Sequence, residues 1–225
     1  MRIGGGPTTT SPGALEGSHV ESCGRGDGVP LYGENIMSLR LHTLIASTRP
    51  GRVGEPIARW FHEQAQREGS FDATLVDLKE FGLPVYDEPR HPRLQQYEHA
   101  HTKAWSASVA AADAFVFVAP EYNFGPTPAL LNALNYVYSE WNYKPAAFVS
   151  YGGISGGIRA VQMTKLTLTT LKMVPILETV TIQMVSDLVK DGRFEAQPAH
   201  VKAADVLLKE LHRWAGALKP LRQPD

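Results

Sequence analysis

Ala114-Phe-Val-Phe-Val-Ala-Pro-Glu-Tyr-Asn-Phe-Gly125 is an unbroken apolar run that stops at a polar, aromatic turn, and its reading decides the fold. Residues Ala114 to Ala119 are apolar, β-branched or aromatic throughout, as a strand must be when helices cover both of its faces in a parallel sheet. Pro120 is expected to end the ladder, because it lacks an N–H and fixes its own φ. Glu121, Tyr122 and Asn123 follow at once, and ligands bind at the carboxyl ends of strands in open α/β sheets. The stretch therefore predicts a buried central strand that delivers a ligand-binding turn.

Upstream, Leu39 to Ala46 alternates and then turns wholly apolar, as a first strand entering a sheet does. Ser47, Thr48, Arg49, Pro50, Gly51, Arg52, Val53 and Gly54 follow it. Ile57, Ala58, Trp60, Phe61 and Ala65 then recur at helical spacing from about Val53 to Arg67. Hydroxyl and guanidinium groups thus fall between a strand end and a helix start, where unpartnered N–H groups and the helix dipole favour an anion. This is the arrangement of a phosphate cradle. It lacks both the Gly-x-Gly-x-x-Gly turn and the lysine-bearing P-loop, so neither a dinucleotide wrapped on this turn nor a nucleoside triphosphate is indicated. Phe71 to Leu78 reads as a second strand. Leu83 to Arg93 holds three prolines and cannot be regular; its Tyr86, Asp87, Arg90 and Arg93 are candidates to cover a ligand, the two arginines to meet a 2′-phosphate. Tyr97 to Ala112 reads as a helix, with His99 and His101 placed on different faces of it, which argues against metal chelation.

Downstream, the helix Thr127 to Tyr138 is apolar on more than one face, which suggests a homo-oligomer formed through it. Pro145 to Ser150 is the next strand, and Tyr151-Gly152-Gly153-Ile154-Ser155-Gly156-Gly157 follows directly. Glycine pairs there let backbone N–H groups approach a flat ligand edge with no Cβ in the way. Arg159 to Lys172 reads as a helix, Val174 to Ile176 and Thr179 to Met184 as late strand material, and Val201 to Leu218 as a closing helix.

At 225 residues and 43% apolar, the chain has the composition of one globular domain. A formal net charge of -1 with no Lys/Arg run argues against a nucleic-acid surface. No apolar stretch reaches about 18 residues, the length that spans a membrane. One cysteine, Cys23, excludes an internal disulfide and a cysteine-rich metal site and fits a cytoplasmic setting. Residues 1–36 carry nine of the 20 glycines and few large apolar residues, so they are expected to form a disordered extension, neither core nor secretory signal. The folded domain is expected from Met37 to the C-terminus.

Strands alternating with helices predict a flavodoxin-like, doubly wound five-stranded parallel sheet of order 2-1-3-4-5 with helices on both faces. In that order strands 1, 3 and 4 are neighbours, and the three unusual loops follow those three strands. The shared edge would hold a phosphate end, an aromatic middle and a glycine wall, suited to a flat phosphorylated cofactor such as FMN. Ser47-Thr48-Arg49-Pro50-Gly51-Arg52, Pro120-Glu121-Tyr122-Asn123 with Leu131-Asn132-Ala133-Leu134, and Ser150-Tyr151-Gly152-Gly153 resemble the NADPH-dependent FMN reductase family of quinone, azo-dye and chromate reductases. The resemblance implies bound FMN, reduction by NADPH or NADH, and dimers or tetramers. It implies that Ser47, Arg49, Val53 and Gly54 hold the phosphate, with Thr48 and Arg52 on the same loop, and that Pro120 to Asn123 and Ser150 to Gly153 line the ring. Members often carry Gly-Ser and Lys-Asn where this chain has Ala46-Ser47 and Leu131-Asn132.

The implied activity passes hydride from nicotinamide to flavin N5 and then to a quinone, azo compound, metal oxyanion or free flavin. The cofactor carries the chemistry, so no catalytic acid, base or metal is expected from the protein. Glu121, beside Pro120, is expected to order its loop or meet a partner subunit. The alternative is a flavodoxin-like electron carrier reduced by a protein partner, although such carriers are usually acidic. A hydrolase on the same fold is the third reading; neither Ser47 nor Ser155 has a His and Asp arrangement legible in the sequence.

Overall fold

The structure, a computed structural model, describes residues 38–222. The expectation of a disordered extension over residues 1–36 lies outside the described residues, as does Cys23. Strand β3 (Ala114–Pro120) is buried at every position. Its side chains divide between two cores: Ala114, Val116 and Val118 join one, Phe115, Phe117 and Ala119 the other. Such alternation with no polar face is what parallel strands under helices on both sides require.

Around β3, the strands β1 (Leu39–Ile45), β2 (Phe71–Asp77), β4 (Pro145–Tyr151) and β5 (Val174–Ile182) complete one parallel sheet in the order β2-β1-β3-β4-β5. Helices α1 (Gly54–Glu68) and α5 (Pro198–Leu218) supply the first core, through Ile57, Phe61, Leu207 and Leu211. Helices α2 (Ala100–Ala111), α3 (Pro128–Tyr136) and α4 (Ile158–Thr170) supply the second, through Trp105, Leu134 and Leu168. The expected flavodoxin-like fold is the observed one. None of the described helices is long and apolar enough to cross a membrane.

Several boundaries differ from the sequence reading for local reasons. Pro120 is the last rung of β3 rather than the residue after it, opposite Tyr151, where no N–H is asked of it. Helix α2 begins at Ala100, because the N–H groups of Glu98 and His99 donate to the Glu88 carboxylate at 2.9 and 3.1 Å. His99 is therefore an extended capping residue, and its ring stacks on His101 at 5.2 Å instead of facing away. The late strand material is one strand, β5, whose register shifts beside Ala146 and Phe148 and leaves Leu177 exposed. A hairpin, β6 (Val189–Lys190) with β7 (Arg193–Phe194), was not expected; Asp191-Gly192 at its tip adopts positive φ, the usual chemistry of a two-residue hairpin.

The apolar breadth of α3 is covered within the chain. Leu130, Ala133, Leu134 and Tyr136 are buried, and the Trp105 and Trp141 indoles donate to the Ala133 and Leu134 carbonyls at 2.9 and 3.2 Å. Asn132 clasps the proline-rich segment, donating to the Pro84 carbonyl while accepting from Tyr86 N. The breadth of α3 therefore gives no reason of its own to expect a subunit contact.

His42, on β1, packs edge-on against Phe115, and burial, reinforced by Lys144 and Arg40, lowers its pKa to about 4. Between pH 6.5 and about 4 the unfolded chain takes up a proton at this residue that the native state refuses, so stability falls as pH falls through that window. The loss should reach about 3 kcal/mol at pH 4. Urea denaturation across this range should show it, and His42→Gln should remove that component of the pH dependence.

Candidate functional site

The carboxyl ends of β1, β3 and β4 meet at a cleft of about 230 Å³. Its wall holds Ser47, Arg49, Arg52 and Val53 from the first loop, Pro120, Glu121 and Tyr122 from the second, and Tyr151, Gly152 and Gly153 from the third. Val185, beyond β5, closes the remaining side. Thr48, Gly54, Asn123 and Ser150 stand outside that wall. Thr48 lines a neighbouring groove with Lys79 and Asn132, and Ser150 is fully buried beneath the glycine turn.

In the first loop, the Ser47 carbonyl accepts from Arg52 Nη1 at 2.7 Å, and the same guanidinium makes a two-point pair with Asp77 at the end of β2. Burial disfavours the charge on Arg52, but Asp77 and Glu55 outweigh it and raise its pKa. Arg52 therefore braces the loop, while Arg49 is exposed at the cleft mouth. Helix α1 begins here without a capping side chain: Val53, its N-cap, makes no such bond. Its first-turn N–H groups are those that an anion can satisfy.

Tyr151 borders the cleft, but the residue is only 3% exposed and its ring runs beneath the first loop. A Cβ placed on Gly54 would collide with Tyr151 Oη, so only glycine lets α1 start this close to β4. Burial raises the Tyr151 phenol well above its usual range and keeps it neutral.

The second loop is a tight hairpin: Tyr122 and Gly125 exchange N–H and C=O at 2.9 Å in both directions, and Asn123 and Phe124 adopt positive φ at its tip. Tyr122 Oη lies 3.4 Å from Ser47 Oγ, which joins it to the first loop. The Glu121 side chain turns to the third, accepting from Ser155 Oγ at 3.0 Å, Arg159 N at 3.2 Å and Arg159 Nη1 at 2.9 Å. Burial would raise its pKa; Arg159 and Ser155 together hold it below the usual carboxylate range. Glu121 thus orders the loop, one of the two roles expected for it.

The two glycine pairs do different jobs. Gly153 faces open space, whereas Gly156 and Gly157 take positive φ, and a Cβ on Gly157 would press against the Tyr151 backbone at 2.9 Å. The N–H groups of Met184 and Val185 donate to the carbonyls of Gly153 and Gly152, both at 3.0 Å, pinning the turn to the end of β5. Sequence reasoning missed Val185 and Asp77; both sit at carboxyl ends of strands flanking the expected three, which was the available signal. It also missed that Gly153 to Gly157 spells the Gly-x-Ser-x-Gly nucleophile pattern between a strand and a helix. Ser155 Oγ donates to Glu121 and makes no histidine contact among the described residues, so no triad is assembled.

None of the candidates on the proline-rich segment reaches the cleft. Arg93 stacks on Tyr138 at 4.5 Å, Arg90 donates to Gln96 at 2.7 Å, and the hydroxyl of Tyr86 donates to the Arg90 carbonyl at 3.0 Å. Asp87 accepts from Tyr136 at 3.0 Å and lies 3.0 Å from His101 Nε2. Among the described residues no group of three His, Cys, Asp or Glu is arranged to hold a metal.

Comparison with known proteins agrees with this geometry. An NAD(P)H-dependent FMN reductase of Schizosaccharomyces pombe is 44% identical over 126 residues, covering 55% of this chain and 63% of that protein. Another, from a Nectria species, is 39% identical over 127 residues, covering 54% of this chain and 63% of the relative. The chain thus spans less than two thirds of either. Among solved structures, the NAD(P)H:(acceptor) oxidoreductase FerB of Paracoccus denitrificans superposes with a TM-score of 0.65 at 18% identity, over 80% of this chain and 98% of that one, which is a likeness of fold. The family described as NADPH-dependent FMN reductase matches residues 39–187, the span from β1 through all three cleft loops to Val185, and the chain belongs to that family.

Proposed function

We propose that this chain binds FMN in the cleft and uses NADPH or NADH to reduce a small acceptor such as a quinone, an azo compound, a metal oxyanion or free flavin. The observation that carries the reading is the convergence of the Ser47, Pro120 and Tyr151 loops on one cleft at the carboxyl edge of the sheet. Bound FMN would supply the two-electron chemistry between nicotinamide and acceptor.

The residues present suit that group. A phosphate monoester matches Ser47, the exposed Arg49 and the uncapped first turn of α1, with Arg52 holding the loop in shape through Asp77. Gly153, open on its outer side, lets backbone come close to a flat edge, and N–H groups aimed at such an edge stabilise negative charge gathered on it. Glu121, spent on Ser155 and Arg159, keeps that wall in place and is not a proton donor. A cytoplasmic location belongs to this reading and rests on the composition.

Self-association belongs to it as well, on a different surface from α3. Ile154, Ile158, Met163 and Leu166, on α4 and the turn before it, are 81, 38, 52 and 72% exposed, and Phe124 is 63% exposed under the Arg159 guanidinium. Apolar exposure on this scale marks an interaction surface.

Protein freed of flavin should oxidise no NADPH, and added FMN should restore a yellow absorbance that NADPH bleaches in the absence of oxygen. NADPH oxidation without flavin would refute the reading, and bound flavin that NADPH leaves unbleached would make the protein an electron carrier. Arg49→Gln should weaken FMN by about 10- to 150-fold, the worth of one hydrogen bond to a charged group, while leaving riboflavin affinity unchanged in a fluorescence titration. Leu166→Lys with Met163→Lys should shift light-scattering mass toward the monomer.

A further inference from the structure

The three strands that end at the cleft begin beside a second, larger cavity. It encloses about 540 Å³ at the amino ends of β1, β3 and β4, within the usual range for small-molecule sites. Arg40 enters it from β1, Asp113 from the residue before β3, Asn142 and Lys144 from the approach to β4, and Lys219 and Arg222 from the turn after α5.

Four cations face two carboxylates there, so positive charge is in excess even though Asp113 is shared among three of them. Asp113 is taken by Arg222 Nη2 at 2.7 Å and by Arg40 N at 2.9 Å; Arg40 Nε and Lys219 Nζ approach it only to 3.8 and 3.6 Å. Glu140 turns to Ser106 Oγ at 2.6 Å and to Tyr97 Oη and Tyr138 N, both at 3.2 Å.

Lys144 is the costly member. It is 5% exposed, and donates to the Val109 and Ala110 carbonyls at 2.7 and 3.2 Å, which leaves one of its three N–H groups for another partner. Burial above all, with Arg222 adding to it, brings this ammonium down to about 7. A lysine placed so against its own solvation, in a cavity with three other cations, is the arrangement that a bound anion repays. Asn142 Oδ1 is also buried there, with no hydrogen-bond partner among the described residues. Buried amide oxygens nearly always have one.

We propose that this cavity binds a small molecule bearing a phosphate monoester and a hydroxyl. Arg40, Lys144 and Lys219 meet the phosphate, Arg222 keeps Asp113 out of its way, and Asn142 accepts from the hydroxyl. Two negative charges answer the excess of two positive ones, and the three cationic contacts come from three separate elements, as a tetrahedral dianion would need.

The test is a titration of the full chain, loaded with one equivalent of FMN and freed of excess flavin, with glycerol 3-phosphate and with inorganic phosphate, followed by amide NMR. Saturable shifts are expected at Arg40, Asp113 and Asn142 to Lys144, with glycerol 3-phosphate binding more tightly than phosphate. Arg40→Gln with Lys219→Gln, neither of them buried, should raise its dissociation constant at least tenfold, and Arg49→Gln at the opposite edge should leave it unchanged. Absence of saturable shifts at those amides, or an affinity indifferent to the double substitution, would overturn the proposal. Loss of binding in Arg49→Gln would do so too, by assigning the phosphate to the cleft.

Discussion

A parallel strand covered by helices on both faces can offer chemistry only at its ends, and β3 imposes that constraint on the whole molecule. Every side chain from Ala114 to Ala119 is committed to one core or the other, and Pro120 reaches the cleft. What the chain presents to a ligand must therefore come from the loops, and parallel strands deliver successive loops to one edge. The cleft follows from packing. The helices that keep water from β3 also fix where Ser47, Tyr122 and Gly153 stand.

The cleft loops hold one another through pairs that span them. Arg52 ties the first loop to β2 through Asp77, Tyr122 ties the second to Ser47, Glu121 ties it to Ser155 and Arg159, and Val185 ties the glycine turn to β5. Charged groups so placed are partly buried, and one left without its partner would cost far more than the intact pair contributes. The loops are thus set in position before any ligand arrives, which spares the ordering cost at binding.

Fold and site were legible to different depths. The alternation of strands with helices carried the doubly wound parallel class and its order, and the unbroken apolar run of Ala114 to Ala119 marked β3 as the buried centre. The cleft loops were legible as exceptions to the polar turns expected between elements. Side-chain direction was not. Tyr151 borders the cleft but tucks its ring under the loop; Arg52 looks like an anion ligand and is spent on Asp77; Arg90 and Arg93 are absorbed by Gln96 and Tyr138. Those outcomes depend on contacts between residues far apart in the chain, to which local pattern is blind. His99 fell to the same blindness, since its position off the helix is set by Glu88.

Tyr151 leaves a last consequence. Its phenol stands between the start of α1 and the end of β4, against Gly54, while its backbone lies against Gly157. The ring acts as a spacer whose diameter sets how far apart the two halves of the cleft stand. Sequence drift at position 151 would then retune the gap between phosphate loop and glycine wall together, so that a single residue, hidden from solvent, gauges what thickness of molecule the mouth can admit.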